Sequence, residues 1–229
     1  MPVWLRSSGV EELVANLRFA ILGAAPVPYA ASPLLALDLR VQSDEAVESV
    51  LLRTSVRIEA GARTTNPAED ARLKELFGTK AQWSRGSRSL LWTQVVNVVS
   101  AFQDETTVAV TVPCSYDLAA IASKYLRALE GGNVPIRAQF SGTAFFRKAE
   151  GLSAAPIPLD READFQLPVE TFRAVLEQHF PDAGVLTLRR DLFERLDARR
   201  IERGLPGFDE LIDELLTPRL SHSGKRGLA

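Results

Sequence analysis

Cys114 is the one cysteine in the chain, and its setting invites a reaction. Pro113 precedes it, and Ser115, Tyr116 and Asp117 follow where a strand pattern gives way to a helix pattern. A thiol at a helix N-terminus gains acidity from the positive end of the helix. Cys114, Tyr116 and Asp117 are therefore the candidate catalytic residues, placed at a pocket mouth around residues 112–117. Nucleophilic catalysis also needs a general base. The chain has two histidines, His179 and His222, and no spacing relation sets His179 beside Cys114. A buried thiol at a helix start is the competing reading, and free cysteines are most often simply buried.

Other chemistries have less to stand on. Two histidines and one cysteine at no ligand spacing do not form a closed zinc site. Asp160, Glu162 and Asp164 are oxygen donors, but the Asp-rich calcium-loop pattern is absent and a solvated charged loop is expected. The glycines are isolated breakers, not a phosphate cradle. No cofactor and no metal is expected.

Partner binding has better candidates. Arg195, Arg199, Arg200 and Arg203 lie on a charged segment interleaved with Asp197, Glu202 and Glu194 at helical spacing. Such a helix is usually an exposed, ion-paired face, and otherwise a dock for an acidic surface. Without interleaved aromatics it is not an RNA platform. Trp83 and Trp4 sit in irregular segments, where an exposed indole suits a protein contact. Trp92 is expected in the core.

These residues must be positioned by the elements around them. Residues 34–42 alternate Leu35, Leu37, Leu39 and Val41 with polar neighbours; residues 50–59 repeat this with Leu52, Thr54, Val56 and Ile58. Period two over such lengths predicts half-buried strands. If the two pair as a hairpin, Asp38 and Arg40 lie across from Arg53 or Arg57. Residues 17–22 suit a first strand, and the three prolines of 23–33 predict an irregular loop. Asn66, Pro67 and Glu69 predict a capped helix near 67–77, stopped by Gly78. The apolar, β-branched run 90–102 predicts a central strand. A turn at 104–106 leads to a further strand at 107–112. A helix is expected near 117–129, ended by Gly131 and Gly132, then a strand over 134–147. Gly142 inside that strand signals a bulge or close backbone approach. Residues 151–168 read as a proline-containing loop, and 168–180, 191–203 and 206–216 as helices.

The fold expected is therefore α+β. A mainly antiparallel β-sheet or sandwich domain with packed helices fills 1–150, and a helical C-terminal region over 151–216 packs on it as one compact unit. Residues 217–229 are expected to form a disordered tail. Strands joined by hairpins more often than by helices argue against a doubly wound parallel sheet.

With 229 residues and 46% apolar content, the chain can bury a substantial core. A net charge of −2 gives no field that would draw it to nucleic acid or an anionic membrane. A single cysteine suits a reducing compartment. No basic segment followed by an apolar core opens the chain, and no apolar run approaches the length of a spanning helix. A cytoplasmic protein is the expectation.

The runs LLRTSVRIEA (51–60), RLKELFG (72–78), SLLWTQV (89–95), VPCSYDL (112–118), KYLRALEGGNVPI (124–136), FSGTAFF (140–146) and LPVETFRAVLEQHFP (167–181) resemble an uncharacterised bacterial family. So does RRDLFERLDARRIERGLPGFDELIDELL (189–216). The resemblance covers about 17–216 in order and brings no catalytic residue. It implies genomic company with high-affinity nickel–iron hydrogenase genes. The function expected is a non-enzymatic accessory, assembly or protein-interaction role beside such a hydrogenase. The alternative is a small-molecule enzyme with its site at 112–117.

Overall fold

The alternating segments become strands of two antiparallel sheets. The computed structural model describes residues 14–78, 89–114, 121–184 and 186–217. Contacts divide the chain into two units, Met1–Val185 and Leu186–Ala229.

In the first unit a three-stranded sheet has the order β1 (Leu17–Pro26), β2 (Leu34–Ser43), β5 (Glu105–Pro113). The other sheet has the order β4 (Ser89–Val99), β3 (Ser49–Glu59), β6 (Asn133–Lys148). The outer edge of β6 is shared by β7 (Gly151–Ile157) and β8 (Glu162–Pro168). Where one partner hands over to the other, the Phe140 N–H donates to the Arg161 carbonyl at 2.9 Å.

Period two explains the core. Leu35, Leu37, Leu39 and Val41 of β2 are buried, as are Val50, Leu52, Val56 and Ile58 of β3 and Ile136, Ala138 and Phe140 of β6. They belong to one apolar cluster. The Phe19 ring of β1 stacks on Phe140 of β6 with centroids 4.2 Å apart, joining the two sheets. Each such Leu, Val or Phe stabilises the fold by roughly 1.5–3 kcal/mol relative to exposure.

Both expected hairpins prove to be crossings between sheets. β2 and β3 do not pair, so Asp38 and Arg40 do not face Arg53 or Arg57. β4 and β5 also fall in different sheets. The two crossings meet instead, through reciprocal backbone bonds between Val47 and Phe102 at 2.9 and 3.0 Å. Alternation tells that a segment is a strand; it does not say which strand it joins.

The helices follow their end signals. In α1 (Pro67–Phe77) the Asn66 side chain accepts from Glu69 N–H, and Glu69 accepts from Asn66 N–H, a complete capping box. The described part of the next helix is α2 (Ile121–Ala128), and the segment where it was expected to begin lies outside the described residues. The carbonyls at its end are held by arginines: Ala128 by Arg72, Leu129 and Glu130 by Arg173, and Gly131 by Arg63. α3 (Val169–His179) buries Val169, Phe172 and Val175.

Three further expectations are corrected. β1 runs on to Pro26 through a register shift at Ile21/Gly23, so part of the proline segment is strand. Proline is tolerated there because, among the described residues, β1 pairs with β2 alone and leaves its other edge without a partner strand. Residues 151–168 are not a loop in a helical third; they hold β7 and β8. Ala163 and Leu167 of β8 are buried and Glu162, Asp164 and Gln166 are exposed, which is strand alternation. The region after 150 therefore turns helical only beyond β8, and the boundary between the two contact units falls after Val185.

The second unit holds α4 (Arg190–Glu202) and α5 (Phe208–Leu216). Phe193 and Phe208 join them with ring centroids 5.4 Å apart. The expected tail, 217–229, lies outside the described residues except for Thr217.

Candidate functional site

The junction at 112–117 presents a closed thiol. Cys114 has no exposed surface, and its backbone N–H donates to the Pro33 carbonyl at 2.9 Å. Its Sγ sits 3.6 Å from the Val112 carbonyl. Burial pushes the thiol pKa up to about 12, outweighing a backbone hydrogen bond from Leu35 that acts to lower it. Tyr116 and Asp117 lie outside the described residues.

His179 is engaged elsewhere. Its Nδ1 lies 3.1 Å from the Val175 carbonyl and its Nε2 lies 3.0 Å from the Ala30 carbonyl. It ties the end of α3 to the β1–β2 turn. The neighbouring Gln178 does the same, donating to the Val27 carbonyl at 3.0 Å.

The basic cluster forms a paired face for the most part. Arg199 meets Glu202 at 3.7 Å, and Arg200 meets Asp197 at 2.8 Å while covering the Phe208 ring. Arg203 pairs with Glu214 across the α4–α5 hairpin. Arg195 is exposed and forms no ion pair with a described residue. Trp83, Trp4 and His222 lie outside the described residues. Trp92 is half-buried, edge-on to Phe172 at 6.3 Å, and its Nε1 donates to the Pro113 carbonyl.

Asp160 is exposed, and Glu162 and Asp164 are partners of Arg137 at 3.5 and 2.7 Å. Among the described residues no cluster of His, Cys, Asp or Glu is arranged to hold a metal ion.

A different surface stands out, on the outer face of the five-stranded sheet. The run expected to be a central strand is β4, which among the described residues pairs with β3 alone and forms the edge. Its inward residues Leu90, Trp92, Val95 and Val99 pack on the core. Of its outward residues, Gln94 is polar and Leu91, Val96 and Val98 are apolar; Val96 is 58% exposed and Val98 73%. Opposite Val98 on β3 lies Leu51, 47% exposed, and opposite Val96 lies Arg53. The largely apolar run signalled a strand with apolar residues on both faces, and the described residues cover only one of those faces.

A shallow cavity of about 310 Å³ opens on this face, lined by Leu51, Arg53, Val96, Ser141, Gly142 and Thr143. Gly142 has φ +136°, and a Cβ there would lie 2.0 Å from the Leu51 carbonyl oxygen. The close approach signalled by this glycine is therefore present, and it is made against β3.

The arginines around this face differ in one respect. Arg57 donates to Ser89, which donates to Glu59; Arg137 pairs with Asp164, and Arg147 with Glu48 at 2.7 Å. Arg53 is exposed and has neither a hydrogen bond nor an ion pair with a described residue.

Comparison with known proteins yields one extensive match. The sequence profile of a family of unknown function (DUF6084) covers residues 14–223. No curated protein matches the chain. Among solved structures, similarity extends to a CARDB domain from Pyrococcus furiosus crystallised with di-metal ions. That match has 13% identity and a TM-score of 0.27, and covers 68% of this chain and 93% of that one. A β-glucosidase 3B from Thermotoga neapolitana matches at 11% identity with a TM-score of 0.26, over 66% of this chain and 17% of the enzyme. A β-glucosidase from Kluyveromyces marxianus matches at 8% identity with a TM-score of 0.26, over 66% of this chain and 15% of that enzyme.

Proposed function

We propose that this chain, which belongs to the DUF6084 family, is a non-enzymatic accessory protein that holds a protein partner, with a nickel–iron hydrogenase subunit or its precursor as the partner class. The observation that carries the interaction role is the apolar stripe of Leu51, Val96 and Val98 on the outer face of the five-stranded sheet, a face that also carries Arg53, Ser141 and Thr143. Leu51, Leu91, Val96, Val98 and Leu152 are each about half exposed or more on its strands. Soluble proteins rarely leave contiguous apolar patches open, and those that do mark interaction surfaces. The hydrogenase assignment rests on the resemblance to a family found beside hydrogenase genes.

The enzymatic alternative at 112–117 loses its nucleophile. A thiol with a pKa near 12 supplies almost no thiolate at neutral pH. The closed thiol supports attachment over thiol chemistry at this junction.

Native, low-salt purification of the tagged chain from its host, followed by mass spectrometry, tests the proposal. A hydrogenase subunit or maturation factor retained at near-stoichiometric amount is the expected result. A chain that purifies alone, or with no oxidoreductase component, contradicts the hydrogenase assignment.

A further inference from the structure

We infer that the β4 edge and the cavity beside it bind an extended segment of a partner protein, apolar at alternate positions and carrying one carboxylate that pairs with Arg53. This deepens the interaction role proposed above and rests on it.

The edge supplies the first argument. Among the described residues, β4 hydrogen-bonds to β3 and to no strand on its other side. Its eleven residues, SLLWTQVVNVV, contain no charge, no proline and no glycine. Exposed edges are normally guarded by charges, prolines or bulges, because their free N–H and C=O groups template a further strand. The side chains of β4 offer no charged or proline guard, and its one bulge, at Leu91–Thr93 opposite Val56 and Arg57, leaves residues 94–99 regular. An extended peptide adding to it satisfies those backbone groups, the usual route of strand addition.

The outer face then reads the side chains. Every second residue of an added strand points to the same side as Val96 and Val98. Apolar side chains at those positions continue the stripe made by Val98 and Leu51.

Arg53 supplies the charge. It sits one strand in from the edge, opposite Val96, and lines the cavity. Strands lie about 4.8 Å apart, so an added strand runs about 9.6 Å from β3. A long guanidinium side chain and a Glu or Asp side chain span that distance between them. Arg57, Arg137 and Arg147 already have partners within the chain, whereas Arg53 has none among the described residues. An acidic partner residue complements it, and a basic one meets like charge.

The test is a phage-displayed library of random ten-residue peptides, selected on the immobilised full-length chain and on its Arg53→Glu and Val98→Lys variants. Both positions are exposed, and circular dichroism melting verifies that each variant folds. The expected outcome on the native chain is enrichment of alternating apolar peptides with Asp or Glu at one fixed position. Arg53→Glu is expected to weaken those peptides about tenfold or more and to select Lys or Arg at that position. Val98→Lys is expected to weaken all enriched peptides.

Enrichment without an acidic position, or the same sequences from the native and Arg53→Glu proteins, overturns the inference. So does an empty selection. Sedimentation of the native chain as a dimer that Val98→Lys converts to monomer also overturns it, because a second copy then fills the edge. If a hydrogenase component still co-purifies after any of these results, the accessory role stands and this inference alone has failed.

Discussion

Cys114, Glu69 and Gly142 each owe their behaviour to a few neighbours. With its pKa raised to about 12, Cys114 is about one part in ten thousand thiolate at pH 8. Iodoacetamide is expected to leave the native chain unmodified over hours at pH 8 and to label it quickly in denaturant, as mass spectrometry would read directly. Glu69 is buried, and its carboxylate accepts from Glu130 N–H at 2.9 Å, Asn66 N–H at 3.2 Å and Arg63 at 3.1 Å. Burial pushes its pKa up, but these three donors together outweigh burial and hold it below the ordinary carboxylate value. A depressed folded pKa contributes stability that is present above the unfolded pKa and lost as pH falls through the folded one. Glu69→Gln is therefore expected to cost about 3 kcal/mol at pH 7, in the range for breaking a buried pair. The gap between native and variant should narrow in urea titrations at pH 3. Gly142→Ala places a methyl 2.0 Å from a backbone oxygen at a φ of +136°. A loss above about 2 kcal/mol is expected in chemical denaturation, since the neighbour is backbone and has little room to yield.

At the scale of elements, the sequence announces what is local. The α1 cap, with Asn66, Pro67 and Glu69, is a complete start signal and forms as one. The alternation of β2, β3 and β5 is equally plain. Pairing is not local, so two supposed hairpins became crossings between sheets. The strands at 151–168 were hidden because prolines read as loop, although Glu162–Pro168 alternates clearly. The outer-face site was half legible: the apolar run of β4 was visible, but its edge position depends on β3 having β6 as its other neighbour. Arg53 carried no sequence signal at all, because its lack of an acidic partner is a matter of strand register. A paired substitution tests the face assignment of β4. Val98→Lys, at an exposed position, is expected to change stability by less than about 0.5 kcal/mol. Val99→Lys, at a position 1% exposed, places an unpaired charge in the core and is expected to prevent folding. Thermal melts of both variants give the comparison.

Across the whole molecule, the first unit contains the main apolar cluster and the open sheet face. The second unit is a short helical hairpin whose arginines are largely matched by its own acids. No described helix is long and apolar enough to cross a membrane. The attachment role proposed above draws on the exposed apolar stripe of Leu51, Val96 and Val98 on the five-stranded sheet. The most direct measurement compares partner retention by the native chain and by a Leu51→Asp/Val98→Asp variant, expressed at equal levels and purified under the same native conditions. Both positions are exposed, so folding is expected to survive. A partner held near stoichiometry by the native chain is expected to fall at least about tenfold in the variant. Equal retention by both proteins would contradict this expectation and place the binding surface elsewhere.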